Sequence, residues 1–374
     1  MRYLVYVFCL FITSNTISSC NKPAQLSQSI NNLNEIQTER SILLNLVAGE
    51  WAAKSLYAAV ELDIATHLSN GPQKIEALSK LACCHEESLY RLLSMLSKIG
   101  IFQEQSKNVF SNTKMSELLV KDHPSSLRSL ILFYSHEMSQ SWNQIVGCIE
   151  QGKPAFDLTF GSPVFSYFRT HPIQARSFNE AMKEKSIATI ESVLRIFDFS
   201  KFESVCDIGG GIGHFLAAIL HKYPNMRGIL FEQPEVVEAA LKTLAHLQNR
   251  SNCINGDFFQ SIPENCDGYI LKSILHDWND EDALRILKNC YESMPPNSHI
   301  LIIEPIVSSF NKNKLADIMD VYMMAITGGK ERTIQSFSNL LELSGFEIKT
   351  TISTDTEFSI IDAVKQKKTG VGKR

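Results

Sequence analysis

His276 stands in "LKSILHDWNDEDALRIL", where an apolar strand pattern ends and a helical one begins. Two acids follow strands or loops further on, Glu304 in "LIIEP" and Glu331 in "GGKERT". An imidazole held by carboxylates is fixed in one tautomer and made more basic. The three residues could therefore form a general base that removes a proton from a hydroxyl group. A histidine inside an apolar pattern can equally be structural, and spacing alone leaves both readings open. The acids after His276 have a simpler role: Asn279 or Asp280 can cap the helix, and Glu281 and Asp282 suit its first turn. That favours capping over a metal cluster.

The second chemical pattern is "SVCDIGGGIGHFLAAIL", residues 204–220. Four glycines, Gly209, Gly210, Gly211 and Gly213, follow a strand-like run and precede a helical one. Without Cβ atoms such a backbone turns sharply and touches a ligand directly, and the next helix offers free N–H groups. A glycine loop alone does not separate a nicotinamide dinucleotide from S-adenosylmethionine. A dinucleotide fingerprint, however, would need Gly or Ala where Leu216 stands, or meets His214 in the other register. Glu232, ending "GILFE" about 20 residues on, is placed to accept from both ribose hydroxyls. Asp257 in "NGDFF" could accept from an adenine amino group, with Phe258 giving the ring an apolar face; a plain turn aspartate is the competing reading.

These residues need a frame that brings strand ends together. The 374 residues are 44% hydrophobic and 20% charged, enough for a sizeable core and about two domains. From residue 204 on, strands "SVCDI", "GILFE", "NCIN", "GYILK" and "HILIIEPI" alternate with helical patterns, before a last helix and the strands "FEIKTTIS" and "FSIIDAV". That order predicts a doubly wound α/β sheet that is mostly parallel, with ligands at the carboxyl ends of its first strands. Ahead of it, one helix is expected over residues 41–68, then two shorter helices and a hairpin, the order of a winged helix. The second of those helices offers only Arg91 and Lys98 against Glu86 and Glu87, too few phosphate contacts for a DNA reader, so packing and dimerisation are expected. The net charge of −4 agrees in showing no nucleic-acid footprint. Residues 150–180 read as a weakly periodic connector over something apolar. The nine cysteines include no CxxC pair and suit reduced core filler, with no structural metal.

In combination, "CDIGGGIG", "LFEQPEV", "NGDFF", "LKSILHDWNDE", "IIEPIV" and "GGKERT" resemble the class I S-adenosylmethionine-dependent small-molecule O-methyltransferases of the caffeate, flavonoid and hydroxyindole type. The resemblance covers residues 40–364. It implies a winged-helix dimerisation domain at 38–140, a Rossmann-like methyltransferase domain at 150–364 and a homodimer. It further implies cofactor contacts at Gly209, Glu232, Asp257, Phe258 and Lys272, and His276 as general base flanked by Glu304 and Glu331. Phe178, Met182 and Met323 would line the pocket of a phenolic or similar acceptor. Two departures stand out: Glu232 replaces the aspartate of the plant enzymes, and "DVYMMAITGGKE" is one residue shorter than its plant counterparts. The competing functions are a relative that binds the cofactor for other chemistry and a winged-helix DNA-binding regulator.

Residues 1–20, "MRYLVYVFCLFITSNTISSC", have the shape of an export signal, with "ISSC" like a lipoprotein box at Cys20. Because S-adenosylmethionine is made inside cells, a cytoplasmic location is expected, with export or lipid anchoring through Cys20 as the alternative.

Overall fold

The computed structural model describes residues 22–307 and 314–366. The signal-like segment 1–20 lies outside them. The chain divides into two units, Met1–Ser55 and Leu56–Arg374. The described part of the first is helix, the greater part of Lys22–Glu61. Everything below concerns the second.

The helix expected over residues 41–68 breaks near its end. Asp63 takes the left-handed conformation (φ 56°) and accepts from the Thr66 hydroxyl and the Arg128 guanidinium, each at 3.1 Å. The chain restarts as a separate turn, Ile64–His67. Helices Ile75–Leu81 and Glu86–Lys98 follow, burying Leu78, Leu89, Leu93 and Leu96 at helical spacing. A small antiparallel sheet completes this module: β1 (Gln73–Lys74), β2 (Phe102–Ser106) and β3 (Val109–Asn112), in the order β1-β3-β2. The hairpin is the expected one. β1, two residues long, is too short to leave a period in the sequence.

The main sheet has seven strands: β4 (Ser204–Ile208), β5 (Arg227–Glu232), β6 (Ser251–Asn255), β7 (Gly268–Lys272), β8 (His299–Pro305), β9 (Phe346–Ser353) and β10 (Phe358–Lys365). Their order is β6-β5-β4-β7-β8-β10-β9, with β10 antiparallel to both neighbours and all other pairs parallel. The two halves wind outward from β4, which places the switch point, and hence the ligand crevice, at its carboxyl end. Both faces are covered. Phe215, Leu216, Ile219 and Leu220 of helix His214–Lys222 pack on one, and Ile286, Leu287 and Cys290 of helix Asp280–Ser293 on the other. Each such buried aliphatic or aromatic side chain contributes about 1.5–3 kcal/mol. Cys206, Cys266 and Cys290 are free thiols in that core.

The expected connector at 150–180 is instead helical. Ala155–Phe160 and Val164–Thr170 are separate short helices, and Pro172–Ile196 runs unbroken for 25 residues. Gly152, Gly161 and the prolines at 154, 163 and 172 cut the segment into pieces too short to show a period. Its apolar faces meet Phe133, Met138 and Ile326 in a separate aromatic cluster.

Candidate active site

Because β4, β5, β7 and β8 run parallel, their carboxyl ends open on one edge and carry Gly209–Gly213, Glu232, Lys272 and Glu304 together. Gly209, Gly211 and Gly213 all have positive φ, at 64°, 57° and 83°. Gly210 is constrained by space instead, since a Cβ there would lie 2.4 Å from the Asp207 carboxylate and 2.6 Å from Leu230. Beside Gly211 there is open space, and its N–H donates to Glu232 Oε2 at 2.9 Å. Glu232 Oε1 accepts the Gln233 N–H at 2.7 Å. Each carboxylate oxygen keeps a further lone pair for a ligand hydroxyl. Burial pushes the Glu232 carboxyl up, against the two backbone donors.

His276 occupies a tight turn, Leu275–Asp277, between β7 and helix Asp280–Ser293. Asn279 is the cap of that helix, its side chain accepting the Asp282 N–H at 2.9 Å. The ring is buried, and its Nδ1 lies 2.9 Å from Glu331 Oε1. In the neutral ring, with Nδ1–H donating to the carboxylate, Nε2 carries the free lone pair. Glu304 is placed differently: its Oε1 accepts the backbone N–H groups of Ile274, Leu275 and His276 at 3.0, 2.6 and 3.3 Å, and it holds the turn, not the ring. Burial opposes a charge on His276, but the Glu331 hydrogen bond and the charges of Asp277, Glu304 and Glu331 prevail and raise its pKa to about 9. Burial likewise lifts the Glu304 carboxyl to about 7, against the nearby His276 and Arg332 charges.

A single cavity of about 270 Å³ joins these parts. Gly209, Gly211, Glu232, Phe258 and Lys272 line it, as do His276, Phe178, Met182 and Met323. Asp257 does not. It is exposed in a shallow neighbouring pocket with Glu232 and Phe258, and its carboxylate caps the Phe259 N–H at 2.8 Å. Phe178 sits at the centre of a ring cluster, with centroids 5.0 Å from Phe168 and 5.6 Å from Phe133. Asp207 and Asp277 also line the cavity and were not singled out from sequence, unlike Lys272. Asp207, inside the buried strand β4, is raised to about 7 by burial against the pull of Lys272. Lys272 is lowered to about 8 by burial against the pull of Asp207, and it donates to the Ser186 hydroxyl at 3.0 Å. Asp277, beside His276, is raised to about 6 by burial against the pull of that imidazole. An acid within an apolar run, as in "VCDIG", was the available signal for Asp207.

The donor set suits a cationic nucleoside cofactor. Asp207 Oδ2, Glu304 Oε2 and Glu331 Oε2 are buried acceptors without a donor. Buried acids of this kind are costly unless a positive group faces them. His276 and Arg332 act on Glu304, His276 on Glu331 and Lys272 on Asp207. A sulfonium ion would add a further positive charge near Asp207, which lines the cavity. The spare lone pairs of Glu232 match a ribose, and the Phe258 ring offers a flat apolar face. Among the described residues no group of three or more His, Cys, Asp or Glu side chains could hold a metal ion.

Comparison with known proteins gives the same picture. Residues 142–347 match the O-methyltransferase domain family and residues 44–122 the O-methyltransferase dimerisation domain. A phenazine O-methyltransferase of Lysobacter antibioticus is 35% identical, over 86% of this chain and 95% of the relative. The mitomycin biosynthesis 6-O-methyltransferase of Streptomyces lavendulae is 32% identical, over 82% and 88%. The solved mitomycin 7-O-methyltransferase superposes with a TM-score of 0.83 at 29% identity, covering 89% of this chain and all of that one. Human N-acetylserotonin methyltransferase, solved with S-adenosylmethionine, superposes at 0.82 with 26% identity, covering 88% and 98%. Fold, cofactor crevice and matched domains together place the chain in the S-adenosylmethionine-dependent O-methyltransferase family, with a Rossmann-like catalytic domain behind a dimerisation domain.

Proposed function

We propose that the protein methylates a hydroxyl oxygen of a small aromatic molecule, with His276 as general base. The observation that carries this reading is His276 on the cavity wall, its Nδ1 engaged by the buried Glu331 behind it and no protein partner on Nε2 among the described residues. The cofactor, when bound, supplies an electrophilic methyl group on a sulfonium sulfur. Gly209, Glu232, Phe258 and Lys272 would hold it, with Asp257 at the margin.

His276 Nε2 takes the acceptor proton, and Glu331 keeps the ring in the required tautomer and stabilises the imidazolium. A phenol titrates near 10 in water, so a base of this strength removes its proton as the oxygen attacks. Phe178, Met182 and Met323 present an apolar wall on which a flat ring can rest, and they exclude water from it. Two of the relatives above are named for phenazine O-methylation and for a 6-O-methylation in mitomycin biosynthesis, which supports a polycyclic acceptor.

The dimerisation-domain match supports a homodimer, as do Val146, Ile149 and Ile173, apolar side chains 63, 68 and 71% exposed in one copy. We place the enzyme in the cytoplasm, where its cofactor is made; among the described residues no helix is long and apolar enough to cross a membrane.

The direct test is incubation with isotopically labelled cofactor and a panel of phenols, hydroxyindoles and hydroxyphenazines. Label on oxygen in at least one product supports the reading. Label on nitrogen or carbon alone overturns it.

A further inference from the structure

The turn that carries His276 is held by groups that never touch its ring. On one side Glu304 gathers three successive N–H groups of residues 274–276. On the other, Arg332 donates from Nη1 to the Leu275 carbonyl at 2.6 Å and from Nη2 to the Trp278 carbonyl at 2.7 Å. Its Nε is fixed by Asp280 Oδ1 at 3.0 Å, and its side chain is 1% exposed. The loop leading into Arg332 adds two more constraints. Lys330 N–H donates to the His276 carbonyl at 2.9 Å, and Gly329 packs so closely that a Cβ would lie 2.0 Å from that carbonyl oxygen.

Burying a guanidinium is costly, and a pair of apolar residues could fill the same space at less cost. The geometry shows what the charge does there. Both terminal nitrogens end on carbonyls that flank the histidine within four residues, a forked contact that the single ammonium of lysine cannot reproduce. The ring itself has one anchor, Glu331, and Glu331 is the residue before Arg332. One short loop therefore fixes the imidazole through Glu331 and the backbone beneath it through Lys330 and Arg332.

We propose that Arg332 is a positioning residue for methyl transfer: its fork on the Leu275 and Trp278 carbonyls, opposed by Glu304 on the N–H groups of the same turn, sets where His276 Nε2 stands in the cavity. This rests on His276 being the base. Displacing a reacting group by about 1 Å can cost about a hundredfold in rate.

The test compares Arg332→Lys, Arg332→Ala and Asp280→Ala with the full-length wild-type enzyme, each assayed per folded molecule. Arg332→Lys should lower kcat by about tenfold or more and shift the His276 ring resonances, with cofactor Kd within about twofold. Asp280→Ala removes the half-exposed anchor of the guanidinium together with its ion pair to Lys330, leaves the fork itself in place, and should give a smaller kcat loss of the same kind. A purely structural arginine would lower the unfolding midpoint and leave kcat unchanged in the folded fraction; that result for Arg332→Lys overturns the proposal. If neither Arg332 variant folds, wild-type kcat in Asp280→Ala overturns it. Full activity in His276→Ala would instead remove the base assignment, whereas an inactive His276→Ala beside a fully active Arg332→Lys removes this inference alone.

Discussion

The two ends of the cavity are built by different means. The end proposed for the cofactor consists of strand termini: Gly209–Gly213 after β4, Glu232 ending β5 and Lys272 ending β7. Its contacts come from backbone N–H groups and charged side chains fixed by the sheet. The end proposed for the acceptor consists of side chains from helices Arg128–Ser135, Val164–Thr170, Pro172–Ile196 and Lys314–Ile326, which meet in one aromatic cluster. The first arrangement demands a ligand of one shape and charge. The second can be recut by exchanging rings without disturbing the sheet. His276 stands where the two meet.

Substitutions should therefore separate by what they change. His276→Ala should lower kcat by about 10²–10⁴-fold, the span of general-base contributions, with cofactor affinity nearly intact. Equal loss of cofactor binding, measured by calorimetry, would mean that the two ends are not separable. Glu331→Gln should cost about 10–100-fold and also move the pH profile. The ring must be neutral to act, so the wild-type rate rises with pH as the imidazolium, near 9 in the cofactor-free protein, loses its proton. Removing the Glu331 charge, which favours the imidazolium, should shift that rise to lower pH.

Glu232→Ala should weaken cofactor binding by roughly tenfold, through two lost charge-assisted contacts, and leave kcat at saturation little changed. Phe178→Ala should raise the acceptor KM by several-fold, about 0.5–1.5 kcal/mol for a lost ring contact, without affecting cofactor Kd. The smallest effect concerns stability. The folded-state pKa of His276, about 9, lies above its ordinary 6.5, so its protonation stabilises the fold fully below about pH 6.5. That contribution is lost as pH rises through 9, and the drop in Tm across this window should be smaller in His276→Ala.

The same contrast explains what could be read in advance. β4 and β7 coincide with the apolar runs that announced them, because a buried parallel strand leaves a continuous signature bounded by turn residues. The residues at the carboxyl edge of the sheet could be placed together in advance for that reason, since they lie beside those runs in sequence. Helices Ala155–Phe160 and Val164–Thr170 are too short for a helical period, so their segment resembled a connector. The two acids near His276 show a finer limit. Position marked both Glu304 and Glu331 as neighbours, but only coordinates separate a carboxylate on the ring from one on the backbone. Arg332 left no trace at all, since an arginine beside a glutamate reads as surface charge until burial is known.

The measurement that bears most directly on His276 compares two acceptors in wild type and His276→Ala. One is a phenol titrating near 10, the other a more acidic analogue of the same shape, already ionised at the assay pH. If His276 removes the acceptor's proton, the variant loses about 10²–10⁴-fold on the first acceptor and little on the second, which has no proton to give. The same loss on both would contradict the account and leave His276 a structural residue.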